Sequence, residues 1–192
     1  MRQSFGARPV AYPLPAFVVG TYDHAGKPNA MLASWGGICS SDPLSIAVSI
    51  RPSRYTYRNL MEKREFTVSI PPVGFMAEAD FFGIASGEDT DKFARTGLTP
   101  IRSTLIDAPY FREFPVVLEC RVIKKLEIGT HVQFVGQILD VKIDDSVLDE
   151  NGKPDLAKIN PLGFDVVKSE YYAMGQVVGK AFSDGKKFFK SG

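Results

Sequence analysis

The segment Arg51-Pro52-Ser53-Arg54-Tyr55-Thr56 carries groups that could bind an anion. It ends a predicted strand and opens a predicted helix, so it offers guanidinium groups, hydroxyls and the free N–H groups of a helix N-terminus. That combination suits a phosphate. The same residues fit a simpler role equally well, in which Ser53 caps the helix and both arginines are solvated.

Polar and aromatic side chains that could contact a ligand recur in three other places. The segment 29–37 places an amide, a hydroxyl and the only tryptophan, Trp35, along one predicted strand. A single tryptophan is more often a core residue than a platform for a cofactor. Lys92 lies near a predicted helix start, where a solvated surface lysine is the usual case. His131 lies on the polar phase of its strand and could face water or donate to a backbone carbonyl.

Several common chemistries lack their sequence signatures. No G-x-G-x-x-G motif follows a strand, and neither a G-x-x-x-x-G-K-[ST] loop nor a G-x-S-x-G elbow occurs, which argues against a Rossmann site, a P-loop and a serine hydrolase. Two cysteines and two histidines, without a Cys-x-x-Cys pair, are too few for a structural zinc site. We expect no metal, and we interpret Cys39 and Cys120 as small core residues.

Composition predicts one soluble domain spanning residues 1–192. Of the 192 residues 44% are hydrophobic, which is enough for a substantial core. The net charge of +1 argues against a nucleic-acid partner, and the lysine cluster at 180–190 is interpreted as a solvated end. No apolar run approaches the roughly 20 residues that cross a bilayer, and the first residues do not resemble a secretion signal. We therefore expect a cytoplasmic protein with no membrane partner.

Short β-strands are predicted to carry these residues. Phe17–Tyr22, the Gly-containing turn 23–27 and Asn29–Trp35 are typical of a hairpin. Ile46–Ile50 and Phe66–Ile70 are further strands.

The clearest strand begins at Val116. Its even positions, through Leu126 and Ile128, are mainly apolar, whereas Glu119 and other odd positions are charged, which predicts a half-buried antiparallel strand. Its partner, 132–143, changes phase near Gly136. Either a bulge shifts the strand there, or both of its faces are covered.

The predicted helices are few and short. They are Tyr57–Lys63 with Ser53 as N-cap, Phe75–Asp80 and Thr90–Arg95. Many short strands with Gly and Pro turns and few helices predict a mainly β protein, a closed antiparallel barrel with helical insertions.

A series of short motifs runs along the chain in a fixed order. The series is Gly26-Lys27-Pro28-Asn29, Ser34-Trp35-Gly36-Gly37, Asp42-Pro43, the segment 51–59, Ala79–Gly87, Asp91–Phe93, Glu113–Pro115, Leu118–Cys120, Gly129–His131 and Phe134–Gly136. In order and spacing it resembles the flavin reductase-like proteins, and among them it is most similar to the flavoredoxins. The resemblance spans residues from about Ala11 to about Gly185.

The resemblance implies an antiparallel, Greek-key, FMN-binding split β-barrel that forms a homodimer and shuttles electrons through its flavin. The flavin contacts that it implies are Asn29, Ser34, Trp35, Ser53, Tyr55, Thr56, Lys92, His131 and Phe164. Within that set, hydroxyls and the Lys92 ammonium would serve the phosphate, and the aromatic rings would lie near the flavin rings. No catalytic side chain is expected, because the flavin itself carries the redox chemistry.

Three functions fit this sequence. The first is an FMN-dependent oxidoreductase that takes electrons from NAD(P)H or passes them between redox proteins. The second is a flavoredoxin-like electron carrier without nicotinamide activity. The third is a non-redox ligand-binding barrel, in which Trp35 and His131 are only core and surface residues.

Overall fold

A computed structural model describes residues 1–189. Its strands are β1 (Leu14–Pro15), β2 (Phe17–Tyr22), β3 (Pro28–Ala33), β4 (Gly36–Ser41), β5 (Leu44–Ile50), β6 (Glu65–Ile70), β7 (Pro100–Arg102), β8 (Pro109–Phe111), β9 (Val116–Ile128), β10 (His131–Ile143), β11 (Leu162–Asp165) and β12 (Glu170–Ala173). Its α-helices are α1 (Tyr55–Lys63), α2 (Met76–Ile84), α3 (Lys92–Thr96) and α4 (Leu156–Ile159). Short 3₁₀ helices cover Val73–Phe75, Asp145–Val147 and Asp184–Phe189.

The main sheet has seven antiparallel strands in the order β3-β2-β6-β9-β10-β5-β4. Strands β3 and β4 are at opposite ends of this order, yet only two residues separate them in the chain. The sheet therefore curls until its two edges approach each other, and it encloses a core that includes Val19, Val48, Phe66 and Phe134. No ladder joins β3 to β4 within residues 1–189, so the barrel is split. The predicted fold class is confirmed.

The long hairpin of β9 and β10 confirms one prediction and corrects two others. Its register shifts between Val135 and Gly136, so a bulge lies where the sequence changes phase. Glu119, expected on a solvent-facing side, is fully buried. It accepts hydrogen bonds from the Ser103 hydroxyl and, at 3.0 Å, from the Lys142 ammonium.

The far end of the same hairpin corrects the second expectation. Leu126 and Ile128, predicted on the buried face, are 47% and 52% exposed. The reason is that β6 pairs with β9 only as far as Arg121. Beyond that residue β9 pairs with β10 alone, and the side chains of Leu126 and Ile128 are left exposed.

The start of α1 differs from its prediction. The N-cap residue is Arg54, and no side chain caps the helix. Ser53 instead lies exposed in a turn closed by a 3.0 Å hydrogen bond from the Arg54 N–H to the Arg51 carbonyl. The other predicted helices correspond to α2, preceded by a 3₁₀ turn, and to α3, which Asp91 caps.

The two cysteines lie in different environments. Cys120 is buried as expected, whereas Cys39 is exposed because it lies on β4, an edge strand of the sheet. Both are free thiols. Among residues 1–189 no helix is both long and apolar enough to span a bilayer. Lys190, the last residue of the predicted solvated cluster, lies outside the described residues.

Candidate functional site

A pocket of about 280 Å³ opens where β3 and β5 end and where α1 and β10 begin. Its lining residues are Met31, Leu32, Ala33, Ser34, Trp35, Ser49, Ile50, Arg51, Arg54 and His131. A second cavity of about 450 Å³ shares Ser34, Trp35 and Ser49 with it and continues along β4. Together the two cavities form a cleft, and Trp35 lines both of its parts.

Trp35 and His131 form a parallel aromatic pair at this cleft. Their ring centroids lie 6.2 Å apart with an interplanar angle of 3°. Trp35 is 39% exposed, so the expectation that it is a core residue is wrong. The Trp35 carbonyl accepts a 2.8 Å hydrogen bond from the Ser49 N–H, which fixes the bend between β3 and β4. Burial, with a smaller contribution from the Arg51 charge, lowers the pKa of His131, so the ring is neutral at pH 7.

Two arginines give the same pocket a positive charge. Arg51 and Arg54 line it, and within residues 1–189 neither forms an ion pair. The N-terminus of α1 lies beside them, and its first turn contains no acidic residue. The first N–H groups of a helix have no partner within the helix, and the helix dipole favours an anion there. The pocket therefore carries the donors that a phosphate requires.

A buried polar network lies behind this helix start. Asn29 is 2% exposed, and its amide N–H₂ group donates to the hydroxyl of Thr56 at 2.8 Å and to that of Thr21 at 3.4 Å. Asn59 donates to the same Thr21 hydroxyl at 3.0 Å. The network ties the first turns of α1 to strands β2 and β3, so it positions the anion-binding segment.

One acceptor of this network has no hydrogen-bond partner among the described residues. Asn29 Oδ1 is buried, and it faces Gly87 so closely that a Cβ atom at Gly87 would lie 2.2 Å from it. The same Cβ would lie 3.1 Å from the ring of Tyr55. Glycine is therefore the residue that fits at this position without displacing Asn29 or Tyr55.

Tyr55 is held by the turn of the first hairpin. Its hydroxyl donates to Asp23 Oδ2 at 2.8 Å, while Asp23 Oδ1 accepts from the N–H groups of Ala25 and Lys27. Burial raises the pKa of Asp23, but these hydrogen bonds outweigh it and hold the pKa below its usual value. Arg58 lies over the Tyr55 ring at 5.1 Å.

Lys92 is buried, so the interpretation as a solvated surface lysine is wrong. It is 4% exposed, and its ammonium donates to the carbonyls of Ala30 at 2.7 Å and Phe82 at 3.0 Å. These bonds join β3 to α2. Burial, assisted by the nearby charge of Arg54, lowers the pKa of Lys92 to about 8. The ammonium is a buried charge behind the arginine-lined pocket, with two of its three N–H donors engaged.

Phe164 stands apart from the other predicted contacts. It lies in β11 of the small sheet β1-β11-β12 and packs on Tyr171 with ring centroids 5.4 Å apart. It lines a separate cavity of about 240 Å³ with residues including Tyr12 and Tyr172. One copy of the chain therefore does not bring Phe164 into the pocket at Trp35.

The nine predicted residues thus form two groups and two single positions. Ser34, Trp35 and His131 line the pocket. Asn29 and Thr56 belong to the polar network behind it, and Tyr55 lies beside that network. Lys92 is buried nearby and donates to the backbone carbonyls of Ala30 and Phe82. Ser53 lies on the adjoining turn, and Phe164 lies elsewhere. The predicted set omitted Arg51, Arg54, Ser49 and Gly87. The two arginines had a signal in the sequence, because they belong to the segment first identified as an anion site. Gly87 ends the motif Ala79–Gly87, whose pattern does not indicate a contact with Asn29, and Ser49 had no signal.

Known proteins share this fold. Residues 10–165 match the sequence profile of the family described as flavin reductase like domain. The structure of flavoredoxin from Desulfovibrio vulgaris (Miyazaki F) is 51% identical, with a TM-score of 0.93 over 97% of this chain and 100% of that one. Flavoredoxin from Methanosarcina acetivorans is 30% identical, with a TM-score of 0.89 over 97% of this chain and 100% of that one.

A relative found by sequence comparison is also similar over most of this chain. An uncharacterized protein of Archaeoglobus fulgidus is 36% identical over 145 residues, which cover 76% of this chain and 80% of the relative. Residues 10–165, which match the family profile, contain every lining residue of the arginine-lined pocket and the polar network behind it. The chain belongs to the flavin reductase-like family.

Proposed function

We propose that the chain binds FMN in the cleft around Trp35 and passes electrons through it. The observation that carries this proposal is the pair of arginines without ion-pair partners among residues 1–189, Arg51 and Arg54, beside an α-helix start that no side chain caps. These are donors for a phosphate, and a half-exposed aromatic pair lies next to them. A phosphate and a planar ring system in one ligand match FMN.

The residues of the chain fit that cofactor in distinct roles. Arg51, Arg54 and the N–H groups of α1 would hold the phosphate, while Trp35 and His131 would lie near the rings. The hydroxyls of Ser34 and Ser49 line the pocket and can donate to polar atoms of the flavin or its ribityl chain. Bound FMN supplies the redox chemistry, and the protein sets its position, hydrogen bonding and access to solvent.

Two electron donors are compatible with this site, NAD(P)H and a redox protein. A nicotinamide needs no Rossmann motif if it only stacks on an exposed flavin face, and the cleft is open at Trp35, which is 39% exposed. The similarity to two flavoredoxins favours the carrier role. Both cysteines are free, which fits the reducing environment of the cytoplasm.

Anaerobic reduction tests the proposal. Protein reconstituted with FMN is expected to bleach with dithionite and to recover its absorbance with an oxidant. Bleaching by NADH or NADPH would assign reductase activity, and bleaching only by dithionite or a reduced carrier protein would assign the carrier role. A protein that retains no flavin after gel filtration would contradict the proposal and favour a non-redox barrel.

The buried Lys92 predicts how FMN binding depends on pH. With a pKa of about 8, its ammonium is charged at pH 7 and loses its proton above pH 8. An ammonium near the phosphate favours binding, so this stabilisation is present below pH 8 and is lost as pH rises. We expect the ratio of FMN to riboflavin affinity to fall about threefold to tenfold between pH 7 and 9.5. If fluorescence titrations give the same ratio of FMN to riboflavin affinity across this pH range, the Lys92 ammonium does not contribute to phosphate binding.

We also infer a homodimer. Five apolar side chains are each more than 40% exposed, namely Ile38, Leu44, Leu126, Ile128 and Val141. They leave unburied apolar surface at the β4–β5 edge of the sheet and on the β9–β10 hairpin. Phe164 lies outside the pocket of its own copy, so a second copy could bring it there. Light scattering at micromolar concentration is expected to give twice the chain mass. A monomer that still retains flavin would overturn the inference.

A further inference from the structure

A further cavity of about 460 Å³ adjoins the cleft around Trp35 and shares Leu14, Gly36 and Gly37 with the part of that cleft along β4. Phe17, Ile70, Val116, Leu156, Ile159 and Leu162 are among its lining residues, and within residues 1–189 no polar side chain lines it. Small-ligand pockets carry a few polar groups that orient the ligand. A wholly apolar lining suits hydrophobic side chains of a protein segment instead.

The C-terminal segment 177–189 carries exposed apolar side chains of the kind that could fill that cavity. Five of its large apolar side chains are 81–102% exposed, namely Val177, Val178, Phe182, Phe188 and Phe189. The hydrogen bonds found for the described part of this segment, such as Lys180 N–H to Asp184 Oδ2 at 2.8 Å, stay within it. Three buried phenylalanines would contribute about 600 Å², close to one side of a standard interface. The segment therefore has apolar surface that its own copy does not cover.

Charge complementarity links the two surfaces. The segment 177–189 contains three lysines and one aspartate. The segment 144–155 contains five acidic residues and one lysine, and it leads directly into α4, whose Leu156 and Ile159 line the cavity. Asp155 caps α4 at the rim. A basic, aromatic segment thus matches an apolar cavity that is lined by a helix directly following an acidic segment.

We propose that residues 177–189 of one copy dock into this apolar cavity of a second copy. The segment leaves its own body beside Met174, which lines the same cavity. Exchange of identical segments across a two-fold axis therefore gives two equal contacts in one closed dimer. The exchange deepens the inferred homodimer and rests on that inference, and it can be tested without bound flavin.

Photo-cross-linking of the full chain tests the exchange. Phe188 is replaced by p-benzoylphenylalanine, the purified protein is irradiated, and products are separated by mass and mapped as peptides. A product of twice the chain mass, linked to peptides within 154–163 or 13–17, is expected. Cross-links of single-chain mass, cross-links to other regions, or no cross-links would each overturn the proposal.

A matched pair of substitutions checks the cavity. Leu156→Lys adds a positive charge at the rim, where the side chain is 54% exposed and tolerates replacement. It is expected to lower the yield of the double-mass product about tenfold. Ile84→Lys, at a residue that is 72% exposed and outside the cavity, should leave the yield unchanged. Equal yields from both variants would contradict docking at this cavity. Light scattering reports separately whether a dimer forms.

Discussion

Gly87→Ala is expected to weaken FMN binding at least about tenfold, although position 87 need not touch the flavin. The new Cβ would lie 2.2 Å from Asn29 Oδ1 and 3.1 Å from the Tyr55 ring. Hydrogen bonds from Asn29 Nδ2 to Thr56 and from the Tyr55 hydroxyl to Asp23 hold both side chains in place. Asn29 must move, and Thr56 and the start of α1 move with it. Overpacking of this kind costs about 1–3 kcal/mol of folding free energy, so the melting temperature should also fall.

Gly74→Ala is the matched control, because a Cβ added at that position would have no atom within 4 Å among the surrounding residues. It should change stability by less than about 0.5 kcal/mol and leave flavin affinity alone. Calorimetric melting and FMN titration measure both effects. A Gly87→Ala protein that binds FMN as tightly as the parent would show that the network behind α1 does not position the phosphate site.

Removal of the two pocket arginines is expected to cause the largest loss of affinity. Charge-assisted hydrogen bonds contribute about 1.5–3 kcal/mol each, so Arg51→Ala or Arg54→Ala should raise the dissociation constant of FMN at least about tenfold. The double variant should lose more, without strict additivity, because both side chains share one anion. Riboflavin, which lacks the phosphate, should be affected less than about threefold.

Arg112→Ala provides the control, since Arg112 is exposed and lies outside the pocket. Arg51→Lys and Arg54→Lys refine the test, because lysine keeps the charge but loses the planar fork that binds two phosphate oxygens. Partial recovery of affinity is expected from both. If FMN and riboflavin lose affinity equally in the alanine variants, the arginines shape the pocket but do not bind a phosphate.

The alternation of apolar and polar residues along the chain was sufficient to predict the barrel, but not the burial of single residues or the shortest strands. The alternation that begins at Val116 predicted β9 and the phase change at Gly136, because both depend on residues adjacent in the chain. The burial of Glu119 depends on Ser103 and Lys142, distant in sequence, so no local pattern contains it. Strands β1, β7, β8, β11 and β12 have two to four residues each, too few to establish a period.

In the candidate site, too, the features that follow from local sequence were predicted and those that depend on distant contacts were not. The chemistry of the segment Arg51–Thr56 follows from its composition, and the structure places its arginines in one pocket. The contact between Asn29 and Thr56 joins positions 27 residues apart, and the bonds of Lys92 reach Ala30 across 62 residues. These contacts depend on how β3 packs against α1 and α2. A lysine with a charged head group is normally assigned to the surface, and only tertiary structure shows that this one is buried.

We propose that Arg51, Arg54 and the start of α1 hold the phosphate of a flavin mononucleotide. Parallel fluorescence titrations of the purified protein with FMN and riboflavin at pH 7 test it most directly, because the two ligands differ only in that phosphate. We predict a dissociation constant for FMN at least about 100-fold lower than that for riboflavin. Equal affinity for the two flavins would contradict the claim.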